Sequence, residues 1–369
     1  MRKAEEFAAK LERVENFLST HELAGVALTR AENFAWLGCG ADNVVDTSVE
    51  TGAATLVVRS GCVTLISSNI EADRLLSEEL DELDITEVQV YPWHEPERRE
   101  AMLRCLSRGA RFVADDGAAG LQPVPAEFDR LRYCLTGAEV ERYQALGEDA
   151  TAALEKAART VEQGMTEAEA AGLTARELRA RGVTPIVLLV AADERTKDWR
   201  HPLPKNNPIE QCALLVVCGR RQGLVAALSR MLHFGEPPPE LRERHRAVCA
   251  VDAAMILSTM PETDVADVLD AARRAYADAD VPNEWQLHHQ GGAIGYRSRE
   301  YVVTPGSSQR VLPAQAFAWN PSITGTKSED TILAGGEGVA FLTGPSDDWP
   351  VVHAEFEGQE IDRPGILIR

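Results

Sequence analysis

The residues best suited to chemistry in this 369-residue chain concentrate in the segment WQLHHQGGAIGYRSRE, residues 285–300. Two adjacent histidines, His288 and His289, stand there before a glutamine and a pair of glycines. Histidine titrates near neutrality, so it moves protons at small cost, and its neutral ring also binds metals. Glycines let a backbone approach a ligand closely and expose N–H groups to an oxyanion. The segment therefore predicts one wall of a polar site.

Three further segments place polar residues beside apolar strands. DWRHPLPKNN carries His201 between an arginine and a proline. CALLVVCGRRQGLVAALSRMLHFG is typical of a strand hairpin, and its polar residues include Arg220, Arg221, Ser229 and Arg230. FAWNPSITGTKSEDT contributes Asn320, Lys327, Glu329 and Asp330. Each segment alone is typical of a loop, a surface charge or a turn, but together they favour one common site.

The composition excludes some partners. With 58 acidic and 38 basic residues the net charge is -20, which argues against nucleic acid and against an anionic membrane surface. The seven cysteines are scattered without a CxxC pair, as in reduced intracellular proteins. The charged start lacks the apolar core of a signal peptide, and no apolar run approaches the about 20 residues of a membrane span. We therefore expect a cytoplasmic protein that acts on a small molecule or short peptide.

The pattern of elements predicts two domains, 1–133 and 134–369. In the first, residues 3–20 predict an amphipathic helix, AATLVVRSGCVTLISS a hairpin, EADRLLSEELDEL a helix and EVQVYPW a strand. In the second, two capping-box patterns, Thr136 with Glu139 and Thr166 with Glu169, each open a helix. TPIVLLVAAD then predicts a buried strand before the hairpin, two more helices follow, and the polar motifs gather after Trp285.

This order of elements and motifs resembles the creatinase/aminopeptidase P family, the pita-bread enzymes. The resemblance implies an α/β (α+β) fold, with a small N-terminal α/β domain before a pita-bread domain. The latter is a curved, mostly antiparallel sheet flanked by helices. It also implies a homodimer, because sites of this kind are often completed by the partner's N-terminal domain.

The metallopeptidases of that family hold two metal ions with two Asp, one His and two Glu. Matching the family motifs to this sequence places those ligand positions at Val217, Ala227, Gly292, Asn320 and Glu329. A pair of divalent ions needs several carboxylates, and only Glu329 remains here. His288 and His289, if neighbours on a strand, point to opposite faces and cannot share one ion. We therefore expect neither a metal nor another cofactor.

The resemblance and the chemistry of the side chains assign expected roles. His201 is the first choice as general acid/base and His288 the second, since both stand where the family has substrate-side histidines; Glu329 completes the catalytic set. A substrate carboxylate would be held by Arg230, Arg299 and Lys327. Glu300 and Glu329 would face a cationic group, and Gln290 and Asn320 would orient neutral atoms. The remaining residues expected to bind substrate are Arg220 and His289.

The leading hypothesis is a metal-independent, creatinase-like hydrolase or lyase. It would act on a C–N bond of a small amino-acid-like or guanidino substrate with a carboxylate. One alternative is a protein that binds peptides or proteins without catalysis. Another is an Xaa-Pro aminopeptidase or dipeptidase with an atypical metal site. The structural alternative for Arg230 and Glu329 is a buried ion pair that fills the space of two lost metals.

Overall fold

The computed structural model describes residues 2–336 and 338–369. The chain divides into two compact units. The first unit comprises Met1–Arg132 with Thr136–Glu139, and the second comprises Tyr133–Leu135 with Val140–Arg369. In the described part of the chain, no helix is both long and apolar enough to cross a membrane.

The first unit is built on a mixed sheet. Its strands are β1 Gly25–Arg30, β2 Thr51–Arg59, β3 Cys62–Ser68, β4 Glu87–Tyr91, β5 Phe112–Ala114 and β6 Gln122–Pro123, in the order β4-β3-β2-β1-β5-β6. Its α-helices are α1 Lys3–Thr20, α2 Ala31–Leu37, α3 Ala72–Arg74 and α4 Glu97–Leu106. The hairpin of β2 and β3 is confirmed, and both residues of its turn, Ser60 and Gly61, have positive φ. The helix predicted for EADRLLSEELDEL is confirmed over Ala72–Glu79, where α3 passes into a π-helix at Leu75–Glu79, and it ends before the predicted segment does.

The second unit carries the longer helices and most of the polar motifs. Its helices are α5 Gly137–Thr160, α6 Glu167–Arg179, α7 Arg195–Asp198, α8 Pro239–Leu257 and α9 Val265–Asp278, with a 3₁₀ turn at Glu284–Leu287. Its first strands are β7 Thr184–Ala192, β8 Cys212–Arg221, β9 Leu224–His233, β10 Gly291–Ile294, β11 Tyr301–Val302 and β12 Ala316–Trp319. The later strands are β13 Ser322–Ile323, β14 Thr326–Lys327, β15 Asp330–Gly335, β16 Gly338–Phe341, β17 Val351–Phe356, β18 Gln359–Pro364 and β19 Ile366–Ile368.

Two sheets form the framework of this unit. One has the order β19-β9-β8-β7 and the other β11-β10-β12-β15-β16. Their pairings are antiparallel except for β19 on β9, so the expected α/β fold with mostly antiparallel strands is confirmed. Strand β9 is buried along its whole length, as its apolar sequence predicts. Both predicted capping boxes form: each threonine accepts from the backbone N–H of its glutamate, whose carboxylate accepts from the threonine N–H.

His245 on α8 gives this unit a pH-dependent stability. Its Nε2 donates to the Pro364 carbonyl at 2.9 Å, and its Nδ1 accepts from the Thr326 hydroxyl at 2.6 Å, so the neutral ring is satisfied. Burial lowers the pKa of His245 to about 4. The unfolded chain therefore binds this proton between about pH 6.5 and 4 while the folded protein does not.

We expect stability to be lost through this residue as the pH falls from about 6.5 to about 4, by up to about 3 kcal/mol. Urea unfolding of the parent and of His245→Gln across this range measures it. The difference in unfolding free energy between them should narrow as the pH falls. A difference that does not change with pH would contradict the assignment.

Candidate functional site

The polar motifs of the second unit converge on a cavity of about 210 Å³. Its polar lining consists of His201, His289, Ser298, Arg299, Asn320, Lys327 and Glu329, and its apolar lining of Val187, Leu189, Val216 and Cys218. Strands β7 and β8 supply the apolar wall, while the loops around β10, β12 and β14 supply the polar wall. The cavity therefore joins segments that are more than 100 residues apart in the sequence.

Alternation along β8 decides which of its side chains face the cavity. Val216 and Cys218 line it, and Val217 between them points to the opposite face of the sheet. Val217, which motif matching places at the first family ligand position, therefore points away from the cavity, and its neighbours Val216 and Cys218 are the inward residues. Across the hairpin, Val216 pairs with Ser229 and Cys218 with Ala227. Burial, with the nearby Glu329 charge, raises the pKa of the Cys218 thiol to about 11, so it stays protonated at neutral pH.

Glu329 is the most strongly held charge in the cavity wall. Its Oε2 accepts from Lys327 Nζ at 2.7 Å and from Ser229 Oγ at 2.6 Å, and its Oε1 accepts from Arg299 at 3.3 Å. Burial alone would raise the pKa of Glu329, but Lys327 and Arg299 outweigh it and lower this pKa to about 2. The carboxylate is thus ionised and already engaged by two cations. The wall around it carries one more positive charge than negative.

Three imidazoles cluster at one side of the cavity, and His201 and His289 line it whereas His288 does not. His201 and His288 lie with their Nε2 atoms 3.0 Å apart, and the rings of His288 and His289 stack with centroids 4.4 Å apart. Residues 288–290 are an irregular loop after the 3₁₀ turn. His288 and His289 are therefore not neighbours on a strand. The alternation that would turn their side chains to opposite faces does not apply to them, because it holds only within a strand.

Burial keeps these three rings uncharged at neutral pH. Burial, reinforced by Lys327, lowers the pKa of His288 to about 2, and burial with Arg299 lowers that of His289 to about 4. The pKa of the more exposed His201 is also lowered, first by burial and then by Lys327. A single proton fits between the two Nε2 atoms, so the pair acts as one donor and one acceptor. The lowered pKa values mean that the rings resist protonation, so their nitrogen lone pairs stay unprotonated at neutral pH.

The backbone beside the histidines leaves no room for a side chain at Gly292, one of the positions that the family motifs assign to a metal ligand. A Cβ on Gly292 would lie 2.1 Å from the Tyr301 carbonyl, and one on Gly291 would lie 2.1 Å from the Ala318 carbonyl. Gly291 also has a φ of +102°, which other residues rarely adopt. Because β10 is paired on both sides here, no side chain fits at Gly292 without moving the sheet.

The two-metal centre of the family that the sequence resembles does not fit these residues. At the matched positions Val217, Ala227 and Gly292 offer no ligand atom, and Asn320 offers an amide in place of a carboxylate. The Oδ1 of Asn320 is buried without a hydrogen-bond partner in the described structure, so it is free to accept from a ligand. The remaining carboxylate, Glu329, is already paired with Lys327 and Arg299. The positive charges of these two side chains repel a metal ion.

Arg230 does not line the cavity, which corrects the role expected for it. It is fully buried and pairs with Glu155 at 3.0 Å and with Asp330 at 3.1 Å. Strand alternation explains this: Ser229 turns toward Glu329, so the next residue of β9 turns to the other face. The buried ion-pair alternative is thus realised with other partners, since Glu329 pairs with Lys327 and Arg299 instead.

Three other expected contact residues also lie outside the cavity lining. Gln290 is buried and bonds to the Tyr276 hydroxyl and to the carbonyls of Trp285 and His288, so it shapes the histidine loop. Glu300 accepts from the Tyr296 N–H. Arg220 lies at the partly exposed end of β8. Sequence reasoning also missed the apolar wall, because β8 is a continuous apolar run buried on both faces and its sequence does not show which side chains face the cavity.

Comparison with known proteins identifies the family of this chain. Residues 141–342, more than half of the chain, match the model of metallopeptidase family M24. An uncharacterised peptidase of Staphylococcus aureus is 21% identical over 247 residues, covering 64% of this chain and 70% of that protein. The chain therefore belongs to metallopeptidase family M24, a family of peptidase-type hydrolases.

Solved structures share the fold at low identity. An Xaa-Pro dipeptidase from Bacillus anthracis superposes with a TM-score of 0.78 at 16% identity, covering 98% of this chain and 100% of that one. The dipeptidase PepE from Mycobacterium ulcerans gives a TM-score of 0.75 at 20% identity, covering 93% and 96%. These likenesses establish the fold, and the chemistry must be argued from the cavity.

Proposed function

We propose that this protein hydrolyses a C–N bond of a small substrate that carries a carboxylate, and that it does so without the two-metal centre of its family. The observation that carries the proposal is the ammonium group of Lys327, 2.7 Å from Glu329 in the cavity wall. This ammonium group lies beside Glu329, the one carboxylate that remains at the positions matched to the family's metal ligands. The peptidase names of the relatives favour a short peptide over a guanidino acid as the first substrate to test.

The cavity offers separate places for the parts of such a substrate. Arg299 and Lys327 supply positive charge for a carboxylate, and Arg299 Nε has no partner among the described residues. Val187, Leu189 and Val216 form an apolar wall for a small side chain. Asn320 Oδ1 accepts from a substrate N–H. A cavity of about 210 Å³ suits one or two residues rather than a long peptide.

The histidines would supply the proton transfers. His201, the most exposed of the three, takes a proton from a water molecule that attacks the substrate carbonyl carbon, and later gives it to the leaving nitrogen. His288 holds the His201 ring through the 3.0 Å contact between their Nε2 atoms. Lys327 stabilises the negative charge that develops on the carbonyl oxygen, which is the electrostatic part of the catalysis.

Turnover that survives excess chelator tests this proposal. Chelator-treated protein would be incubated with Xaa-Pro dipeptides, other small dipeptides and guanidino acids, and the released amine followed by mass spectrometry. We expect hydrolysis of at least one class, with no gain on adding Mn²⁺ or Co²⁺. Turnover that appears only with added metal would favour a dipeptidase with an atypical metal site. Saturable binding without turnover would favour a non-catalytic binding protein.

A further inference from the structure

We propose that His201, His288 and His289 form a binding site for a single Zn²⁺ ion, and that Zn²⁺ bound there inhibits the protein. The ligand atoms of these residues all lie within 4.8 Å of one another. Nitrogens bound to one tetrahedral Zn²⁺ lie about 3.3 Å apart. The Nε2 atoms of His201 and His288, 3.0 Å apart, are close to this spacing, and the ligand atom of His289 lies within 4.8 Å of both.

One buried nitrogen in the cluster lacks a hydrogen-bond partner among the described residues. His288 is 9% exposed, and its Nδ1 has no hydrogen-bond partner among the described residues. A buried polar atom without a partner costs free energy, and a bound ligand is one remedy. Because Nδ1 is not held, the ring can present either nitrogen to an ion. His201 is exposed, so a metal ion from solvent can reach the cluster at this residue.

The ligand type selects the metal. Three neutral imidazoles without a carboxylate suit Zn²⁺ and similar transition metals, whereas Ca²⁺ and Mg²⁺ require oxygen ligands. None of the three residues occupies a ligand position of the family's two-metal centre, so the site is a separate one. Lys327 and Arg299 repel a cation from nearby, and Glu329 offsets only one of them. We therefore expect weaker binding than at a closed four-ligand zinc site.

Zn²⁺ would inhibit because it binds the nitrogen lone pair that His201 needs as a general base. This part of the proposal rests on the proposed function. A general base needs a free nitrogen, and coordination to Zn²⁺ occupies that of His201. Two of the three ligands, His201 and His289, line the cavity, so a bound ion would also occupy space beside the substrate. The metal response would thus be opposite to that of enzymes in which a metal activates the water molecule.

Zinc titration tests the site without any substrate. Chelator-treated protein would be titrated with Zn²⁺ in competition with a chromophoric chelator, and with Co²⁺ while visible absorption is recorded. We expect one equivalent and the intense absorption of tetrahedral Co²⁺. His289→Gln should weaken binding at least about 10-fold. The matched control is His353→Gln, an exposed histidine on β17 whose loss should leave binding unchanged.

Absence of saturable binding, or equal binding by the parent and His289→Gln, would overturn the site. Thermal unfolding of each variant confirms that it is folded, so that lost binding is not lost structure. Turnover measured during the zinc titration tests inhibition separately. Unchanged or increased turnover at full occupancy would overturn inhibition and leave the site standing. Absence of turnover under every condition would count against the proposed function, while the titration would still report on zinc.

Discussion

Arg230→Met should lower the free energy of unfolding by about 3–5 kcal/mol, because it leaves buried carboxylates without their cation. Arg230 pairs with Glu155 and Asp330, and all three side chains are at most 1% exposed. Asp330 in turn accepts from Arg363, which also pairs with Asp252. The variant therefore disturbs a continuous buried network and not a single pair. Urea unfolding at neutral pH measures the loss.

The matched control for Arg230→Met is Arg220→Met on the same hairpin. Arg220 lies at the partly exposed end of β8, so this change should stay within about 0.5 kcal/mol. A double-mutant cycle of Arg230→Met with Glu155→Gln should give a coupling of about 1–3 kcal/mol. If Arg230→Met is as stable as the parent and instead weakens binding of a carboxylate ligand, Arg230 faces the substrate after all.

His201→Gln should reduce kcat/KM at least about 100-fold once a substrate is known, mainly through kcat. Glutamine keeps a polar side chain of similar reach but cannot take up and release a proton near neutrality. His201 lines the cavity and is the exposed member of the contact with His288. Steady-state kinetics on the best substrate of the panel measures the change.

His353→Gln serves as the control for His201→Gln, since this exposed histidine on β17 pairs with Asp362 on β18. Its kinetics should match those of the parent. His288→Gln should cost less than His201→Gln, about 10-fold, because His288 holds the His201 ring and does not itself contact the reacting atoms in our proposal. Unchanged turnover in His201→Gln would remove this residue from the mechanism.

The sequence by itself determined several local elements, and it predicts that four of the five family ligand positions hold residues that do not supply the family's metal ligands. Local signals were sufficient where they act within one turn or one hairpin: helix α1, the two capping boxes and the hairpin of β2 and β3 all form as predicted. Family resemblance located the polar motifs, because residue types such as Gly292 and Asn320 can be read directly from the chain. Expected absence of a metal remains a prediction.

Only the tertiary structure decided which of those polar residues share the cavity. The alternation of side chains along a strand fixes each one to a single face of the sheet. It places Val216 in the cavity lining and Val217 on the opposite face, and it directs Arg230 into the buried network. The irregular loop at 288–290 brings together two imidazoles that a regular strand would separate. Lys327 lies only two residues from Glu329, but Ser229 and Arg299 reach this carboxylate from 100 and 30 residues away, and such long-range contacts leave no local signal in the sequence.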